Sequence, residues 1–336
     1  MKTRLFVLLA ALVAGRPRVQ ADTVRIVQTN AAGDSVMLID PASNKVVGEI
    51  GGIEVNHGVA AAPDGSRFYI TNEADSTLDV ADAKTLKVIK KIRLTNRPNN
   101  VAISKDGKRV YCAIVAGAGA IDVIDTTMLT RLKSIRTEGG IHNTYVTPDG
   151  RFVIGGSISG RKITVIDQKT EEIVWTLSTR DGVRPMAFET NLDGSTRHIF
   201  AQLSNFNGLI VVDFARHQIV NEVKLPELQA AERVTEGLQG SPSHGIGITP
   251  DGKTLAVLSK RNTRIYFYSM PDVKLLGECK VGDHPDWLTF TPDSKRVYVA
   301  NAGSNSVSVV DVVTRRELTQ IPVGQVPKRN ITAVLP

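Results

Sequence analysis

The feature that most constrains the fold is a tight turn that recurs six times along the chain. Its sequence is Pro-Asp-Gly or a close variant, and its aspartates are 42, 43, 44, 58 and 42 residues apart. Each turn follows a short apolar segment, such as residues 101–103, and precedes another, such as residues 296–299. Pro-Asp and Asp-Gly dipeptides mark turns, and short β-branched segments mark strands. The turns begin at Pro63, Lys105, Pro148, Leu192, Pro250 and Pro292.

Each repeat contains four strand patterns in roughly 40–45 residues, which is the period of a β-propeller blade. The second-to-fourth-strand pattern occurs seven times, and so does the first-strand pattern, but the two are out of phase. The chain therefore begins with a second strand at residues 24–29 and ends with an unpaired first strand at residues 331–334. We predict an all-β, seven-bladed β-propeller over residues 22–336, closed by the C-terminal strand, which completes the first blade and protects its edge.

Residues 1–21 have the pattern of a secretory signal peptide. Lys2 and Arg4 precede an apolar run at residues 5–15, and cleavage is expected after Ala21. The run is shorter than the roughly 20 residues of a membrane-spanning helix. The alternative is a buried core helix. The pattern predicts a periplasmic or secreted protein, and no other segment predicts a membrane span.

Charge and cysteine content exclude two classes of protein. Four basic residues lie within residues 1–21, which contain no acid, so the formal net charge of +7 falls to +3 without them. This mild balance is not typical of a nucleic-acid-binding protein. Two cysteines are too few for a small disulfide scaffold. Cys112 and Cys279 lie in apolar strand patterns, which predicts buried, unpaired thiols.

The segments Tyr69-Ile70-Thr71-Asn72 and Tyr298-Val299-Ala300-Asn301 resemble the YVTN-type repeat of seven-bladed propellers. The wider relatives include lactonase-like propellers, the haem-carrying propeller of cytochrome-type nitrite reductases and the copper-carrying propeller of nitrous-oxide reductase. The activities of these relatives differ, so the resemblance implies the fold and not a reaction. The sequence has no CxxCH motif, so no covalent haem is expected.

Seven equivalent positions are predicted to surround the channel mouth, six of them six residues before the first residue of a turn and the seventh at the matching place before the C-terminal strand. They are His57, Asn99, His142, Met186, His244, Asp286 and Lys328. Three of the six histidines of the chain fall in this register, on alternate blades. Equal register predicts that their side chains lie at one height around the channel.

Two interpretations of this ring are open. In the first, His57, His142 and His244 bind a divalent transition metal such as zinc or copper, and Asp286 and Lys328 are catalytic. In the second, the histidines are hydrogen-bonding walls of a polar mouth that holds water or an anion. No HxxxH or HxH spacing supports the metal hypothesis.

The residues that flank the ring predict the chemistry of a ligand. We predict that a small anionic molecule, such as a carboxylate, contacts Asn99, Arg184, His284, Trp287 and Arg329, because cationic side chains favour anions. The alternative is that these charges are simply solvated. An insertion at about residues 226–241 has helix-forming composition and runs into the ring, so it is predicted to be either a lid or a surface decoration.

Together, these observations predict an exported, monomeric propeller that binds a small anionic ligand in its central funnel, directly or through a metal. As an enzyme, it would be a metal-dependent hydrolase, lyase or oxidoreductase. The alternative is a non-catalytic binding or protein-interaction propeller.

Overall fold

A computed structural model describes residues 22–336, which form 28 β-strands and a single short 3-10 helix. The strands form seven antiparallel four-stranded sheets, each of which is one blade. Strands are numbered β1–β28 in chain order. Blade 1 contains β28, β1, β2 and β3, and blades 2 to 7 each take the next four strands in turn. The predicted seven-bladed propeller is confirmed, whereas the predicted signal peptide lies outside the described residues.

Within each blade the strands follow one another from the channel outward. The inner strands are β4 (Asn56–Ala61), β8 (Pro98–Ile103), β12 (Ile141–Val146), β16 (Val183–Thr190), β20 (Ser243–Ile248), β24 (Pro285–Phe290) and β28 (Gln325–Leu335). The second strands are β1 (Thr23–Ala32), β5 (Arg67–Asn72), β9 (Arg109–Ile114), β13 (Phe152–Ser157), β17 (Thr196–Leu203), β21 (Thr254–Ser259) and β25 (Arg296–Asn301). The third strands are β2 (Val36–Asp40), β6 (Thr77–Asp82), β10 (Ala120–Asp125), β14 (Lys162–Asp167), β18 (Gly208–Asp213), β22 (Arg264–Ser269) and β26 (Ser306–Asp311). The outer strands are β3 (Lys45–Ile50), β7 (Val88–Arg93), β11 (Thr130–Arg136), β15 (Glu172–Ser178), β19 (Gln218–Lys224), β23 (Leu275–Lys280) and β27 (Arg316–Pro322).

The ring closes as the sequence predicts, by antiparallel pairing of β1 with β28. The pairing begins with Thr23 opposite Leu335 and continues to Ala32 opposite Gln325. The closing strand is longer than residues 331–334 because its first half also pairs along β1. The pairing leaves neither strand as an open inner edge.

The hydrophobic core lies between the blades. Seven clusters of buried apolar side chains each join two neighbouring blades. Cys112 packs between blades 2 and 3 and Cys279 between blades 6 and 7, and both are free thiols, as predicted. Burial raises the pKa of each thiol. Every blade is therefore held by its two neighbours, and no blade has a core of its own.

The third residue of the YVTN-like repeat links neighbouring blades beside the channel. Thr29 on β1 donates a hydrogen bond to the backbone oxygen of His57 at 2.7 Å, and Thr71 on β5 donates to that of Asn99, also at 2.7 Å. Each hydroxyl thus fixes the backbone of the next inner strand near its first residues. The repeat motif thereby positions two residues of the predicted mouth ring.

The insertion connects β19 to β20 and contains only the 3-10 helix Ala230–Glu232. Its helix-forming composition does not produce an α-helix, because its backbone bonds to neighbouring loops instead. Val234 donates its backbone N–H to Arg261, and the carbonyl of Pro226 accepts a hydrogen bond from Asn262. No helix within residues 22–336 is long and apolar enough to cross a membrane.

Candidate ligand-binding site at the channel mouth

The structure places the seven predicted ring positions at equivalent places on the inner strands. Five of them are the second residue of their strand, from His57 on β4 to Asp286 on β24. Met186 and Lys328 are each the fourth residue of their strand, because these two strands begin two residues further ahead of the ring position than the other five do. We call this set the mouth ring. Its members are His57, Asn99, His142, Met186, His244, Asp286 and Lys328.

Every inner strand is irregular at the height of the mouth ring. In blade 2, for example, Asn56 pairs with Asn72, but the next pair along the ladder is Val59 with Ile70. The same interruption occurs in the ladders of all seven blades. A β-bulge leaves residues out of the ladder and changes the direction of their side chains. Six of the seven mouth-ring residues are thus released from sheet alternation, whereas Met186 still pairs with Ala201 beside its bulge.

His57 forms a dyad with Glu73, which follows β5. Its Nδ1 lies 2.5 Å from the Glu73 carboxylate. Burial lowers the pKa of His57 despite this contact. Burial would raise the pKa of Glu73, but the hydrogen bond from His57 and nearby arginines outweigh it and lower that pKa. At neutral pH, therefore, a neutral imidazole donates from Nδ1 to an ionised carboxylate, and its Nε2 is a free base.

His142 and His244 contact each other edge to face, with ring centroids 5.6 Å apart. Burial holds both pKa values well below the usual histidine range, helped by the charge of Arg329 at His142 and by that of Lys260 at His244, where Asp286 opposes the shift. His244 donates from Nδ1 to the backbone oxygen of Asp286 at 2.7 Å, so its Nε2 is an acceptor. His142 accepts at Nδ1 from the Asn143 amide at 2.8 Å, so its Nε2 is a donor. At Nε2, His142 can therefore donate a hydrogen bond to a ligand, whereas His244 can accept one.

Asp286 is the centre of a buried ion-pair cluster. Lys260, which follows β21, contacts one carboxylate oxygen, and Lys328 lies 3.5 Å from the other. Burial would raise the pKa of Asp286, but the two lysines hold it well below its usual range. Burial lowers the pKa of Lys260, and Asp286 opposes that shift. The carboxylate of Asp286, which the sequence predicts to be catalytic, is thus paired with the ammonium groups of two lysines.

Arg329 lies directly behind the mouth ring and is only 2% exposed. Its Nη2 donates to Asn99 at 2.7 Å, and its guanidinium stacks on Trp287 at 4.1 Å from the ring centroid. Asn99 in turn lies 3.4 Å from Glu73, which links this arginine to the dyad. Burial lowers the pKa of Arg329 to about 10, which still leaves it charged at neutral pH.

The insertion reaches the rim of the site through two predicted ligand-binding residues. Arg184 donates to Ser204 at 2.8 Å and to the backbone oxygen of Gln239 at 3.0 Å. The Nε2 of His284 lies 3.0 Å from the backbone oxygen of Glu236. His284, which is not part of the mouth ring, thus contacts the insertion. The contacts place the insertion beside the mouth, where the sequence predicts either a lid or a surface decoration.

The structure brings the three predicted metal ligands to one channel mouth without joining them as a ligand set. Two of the imidazoles contact each other, and the third is bonded to Glu73. Within the part of the chain that the structure describes, no three His, Cys, Asp or Glu side chains are arranged to hold a metal ion. The arrangement of these three histidines therefore does not fit the predicted zinc or copper site.

A second set of site residues is absent from the sequence prediction. Glu73, Ser204 and Lys260 each follow the last residue of a second strand, and each contacts a different residue at the mouth. They occupy the same place in the repeat, directly after the YVTN-like segment. An alignment of that position across the blades would have found them, as it found the mouth ring.

The fold and this site define the class of the protein: a seven-bladed β-propeller with a polar, ionisable cluster at one end of its channel. The family model described as "Lactonase, 7-bladed beta-propeller" matches residues 140–328, more than half of the chain. The chain belongs to this lactonase propeller family. A search of curated proteins finds no match.

Solved structures share the fold at low sequence identity. A hydrazine synthase chain from Kuenenia stuttgartiensis is 23% identical with a TM-score of 0.73, covering 85% of this chain and 91% of that one. A proposed 6-phosphogluconolactonase from Bacteroides fragilis is 16% identical with a TM-score of 0.74, covering 95% and 100%. The dihydro-heme d1 dehydrogenase NirN is 16% identical with a TM-score of 0.66, covering 92% and 66%. These likenesses show the propeller fold alone.

Proposed function

We propose that the protein is an exported propeller that binds a small anionic ligand at its channel mouth. Supporting this is an excess of positive charge in a cluster whose three histidines are neutral at pH 7. Four cations surround two carboxylates, and two of the cations, Arg184 and Arg329, form no salt bridge with any described residue. The cations are Arg184, Lys260, Lys328 and Arg329, and the carboxylates are Glu73 and Asp286.

The groups available to such a ligand follow from the contacts that are already made. Lys328 has a side chain 16% exposed and is only loosely paired with Asp286, at 3.5 Å. The Nε2–H of His142 is a second donor. A carboxylate accepts charge-assisted hydrogen bonds from such groups, which are stronger than neutral ones.

Calorimetric titration with a small sugar acid, gluconate, tests the binding proposal. We expect binding that weakens with added salt, because partly exposed charges are screened. The double variant Arg184→Gln with Lys328→Met should reduce the affinity at least tenfold, about 1.4 kcal/mol. The control Lys295→Met removes an exposed lysine beside a Pro-Asp-Ser turn and should leave the affinity unchanged. Equal affinities in the wild type and the double variant would refute the proposal.

Lactone hydrolysis is a second candidate, favoured by the family membership and by the Glu73–His57 dyad. Glu73 would hold the imidazole through Nδ1, while Nε2 takes a proton from water as the water oxygen attacks the lactone carbonyl. The ring oxygen then leaves and takes that proton back from Nε2, and the carboxylic acid that is formed loses its proton to water. The product is a carboxylate of the charge that this mouth favours. Asp286 would position Lys260 and Lys328 and would not itself move protons.

A pH-stat assay with glucono-δ-lactone tests this reaction. General-base catalysis contributes about 10²–10⁴-fold to a rate, so we expect Glu73→Gln to slow hydrolysis by about that factor with little change in KM. Asp251→Asn, at an exposed turn, is the matched carboxylate control. If the wild type does not accelerate hydrolysis of this lactone, the catalytic candidate fails and the binding proposal stands on its own titration.

A further inference from the structure

Behind the mouth ring, the channel contains a cavity of about 320 Å³, which we call the lower chamber. Its lining residues follow the ring positions by one to four residues along the inner strands, and no mouth-ring residue lines it. Most of its wall is apolar, with Val101, Ile103, Val146 and Phe188 from three successive blades. The chamber is therefore a separate compartment of the channel, with different walls from the mouth.

Arg329 forms one end of this apolar compartment and has unused hydrogen-bonding capacity. Its Nε and Nη1 are buried and have no hydrogen-bond partner among the residues that the structure describes. Its one side-chain hydrogen bond goes from Nη2 to the neutral amide of Asn99. Buried charges in proteins are normally paired, because an unpaired one loses the solvation that it has in water. An anion in the chamber would supply the missing partner.

Two other polar groups along the chamber wall already have partners. Tyr145 accepts a hydrogen bond at its hydroxyl from the backbone N–H of Met186 at 3.0 Å, and Asn100 donates to the backbone oxygen of Thr144 at 3.3 Å. The buried hydroxyl of Thr144 has no partner among the described residues, but it is neutral. The strongest recognition group is thus the guanidinium at one end, and most of the remaining wall offers apolar contact. This arrangement suits a molecule with one anionic end and an apolar body.

The lower chamber extends toward the face of the Pro-Asp-Gly turns. Ile103 and Val146 are the last residues of β8 and β12 and are only partly buried. At the opposite end, His142, His244 and Asp286 are buried. A ligand would therefore enter from the turn face without passing the mouth ring.

We propose that the lower chamber is a second binding site, for a small monocarboxylate with an apolar body, whose carboxylate contacts Arg329. The cavity has the volume of roughly ten water molecules at about 30 Å³ each, which suits an acid the size of phenylacetate. Arg329 contributes positive charge to both sites, but the two open on opposite faces and are tested through different residues, the mouth through Arg184 and Lys328 and the chamber through Arg329 and Ala102.

Fluorescence of Trp287, which lines the chamber and stacks on Arg329, provides the measurement. The titration uses a Trp175→Phe background, because Trp175 is the other tryptophan and lies on the outer strand β15. Phenylacetate should bind at least tenfold more tightly than the isosteric amide phenylacetamide, since only the acid forms a charge-assisted pair. Equal affinities for acid and amide, or no binding of the acid, would overturn the proposal.

Two variants of the chamber and two control variants locate the site. Ala102→Leu adds bulk to the chamber wall without altering Arg329 and should weaken phenylacetate binding at least tenfold, whereas Ala42→Leu, on the exposed surface, should not. Arg329→Met should abolish the preference for acid over amide. Arg184→Gln, at the mouth, should leave phenylacetate binding unchanged. Binding that survives Ala102→Leu, or that is lost in Arg184→Gln, would place the acid elsewhere and contradict the inference.

Discussion

The two ends of the inner strands follow opposite structural rules. At the turn end, four blades repeat one arrangement, in which a Ser or Thr hydroxyl donates to the turn aspartate at 2.6 Å. At the mouth end, the seven equivalent positions carry five residue types, His, Asn, Met, Asp and Lys, and six of the seven lie at a β-bulge. Sequence repetition therefore maintains the scaffold at one end, while the departures from repetition concentrate ionisable groups at the other. This division indicates where a propeller of this kind has room for a binding site.

The largest expected difference between the two ends concerns their carboxylates. Asp286→Asn leaves the buried ammonium of Lys260 without a carboxylate, which should reduce the free energy of unfolding by about 3–5 kcal/mol. Asp251→Asn weakens two hydrogen bonds to an exposed turn residue and should cost about 1 kcal/mol. Urea unfolding of the two variants gives both values. Similar losses would show that the mouth cluster is no more critical to stability than a turn.

A matched pair of glycines sharpens the comparison. Gly245 and Gly252 have left-handed φ angles of +85° and +73°. A Cβ at Gly245 would lie 2.9 Å from the backbone oxygen of Asp286, whereas one at Gly252 would meet nothing within 4 Å.

Gly252→Ala should therefore cost only the left-handed strain, about 1–2 kcal/mol. Gly245→Ala should cost about 1–3 kcal/mol more, because the neighbouring strand has to move. Chemical denaturation of both variants measures this excess. If Gly245→Ala is no more destabilising than Gly252→Ala, close packing of the inner strands does not hold the mouth residues in place.

A third expected difference is a pH dependence that originates at the mouth. His57, His142 and His244 have folded-state pKa values lowered by burial, so below about pH 6.5 the unfolded chain binds more protons than the folded one. Their contribution to stability is complete above that pH and is lost as the pH falls. Each histidine adds at most about 1.4 kcal/mol per pH unit.

Unfolding free energies measured between pH 7 and pH 5 should fall, and less steeply in His142→Asn than in the wild type. Asp251→Asn, at the turn end, should keep the slope of the wild type. An unchanged slope in His142→Asn would mean that this imidazole does not resist protonation in the folded state.

The sequence predicts the turn end well and the mouth end in part. The turns and the blade count follow from patterns that are visible within each repeat. The closing strand follows from the offset between the first-strand pattern and the pattern of the other three strands. The common register of His57, His142 and His244 follows from the same alignment. The contacts of these histidines do not, because the bulges turn side chains away from sheet alternation.

The pairing of Asp286 with Lys260 shows the same limit. Both positions are regular in the repeat, but their contact joins neighbouring blades, and its geometry depends on how two sheets pack. The sequence therefore predicts Asp286 as a catalytic group, whereas the structure pairs it with two lysines.

Closure of blade 1 by β28 also bears on the rate at which the ring assembles. Six blades consist of strands that are consecutive in the chain, so their hairpins form from contacts between near neighbours. The pairing of Thr23 with Leu335 joins residues separated by almost the whole described chain. Contacts of such high sequence separation form slowly, because a long loop has to close before they contribute any stabilisation. The seam is thus expected to set the pace of folding, and an arc of six formed blades with exposed edges is the species most prone to associate with other chains before the ring is complete.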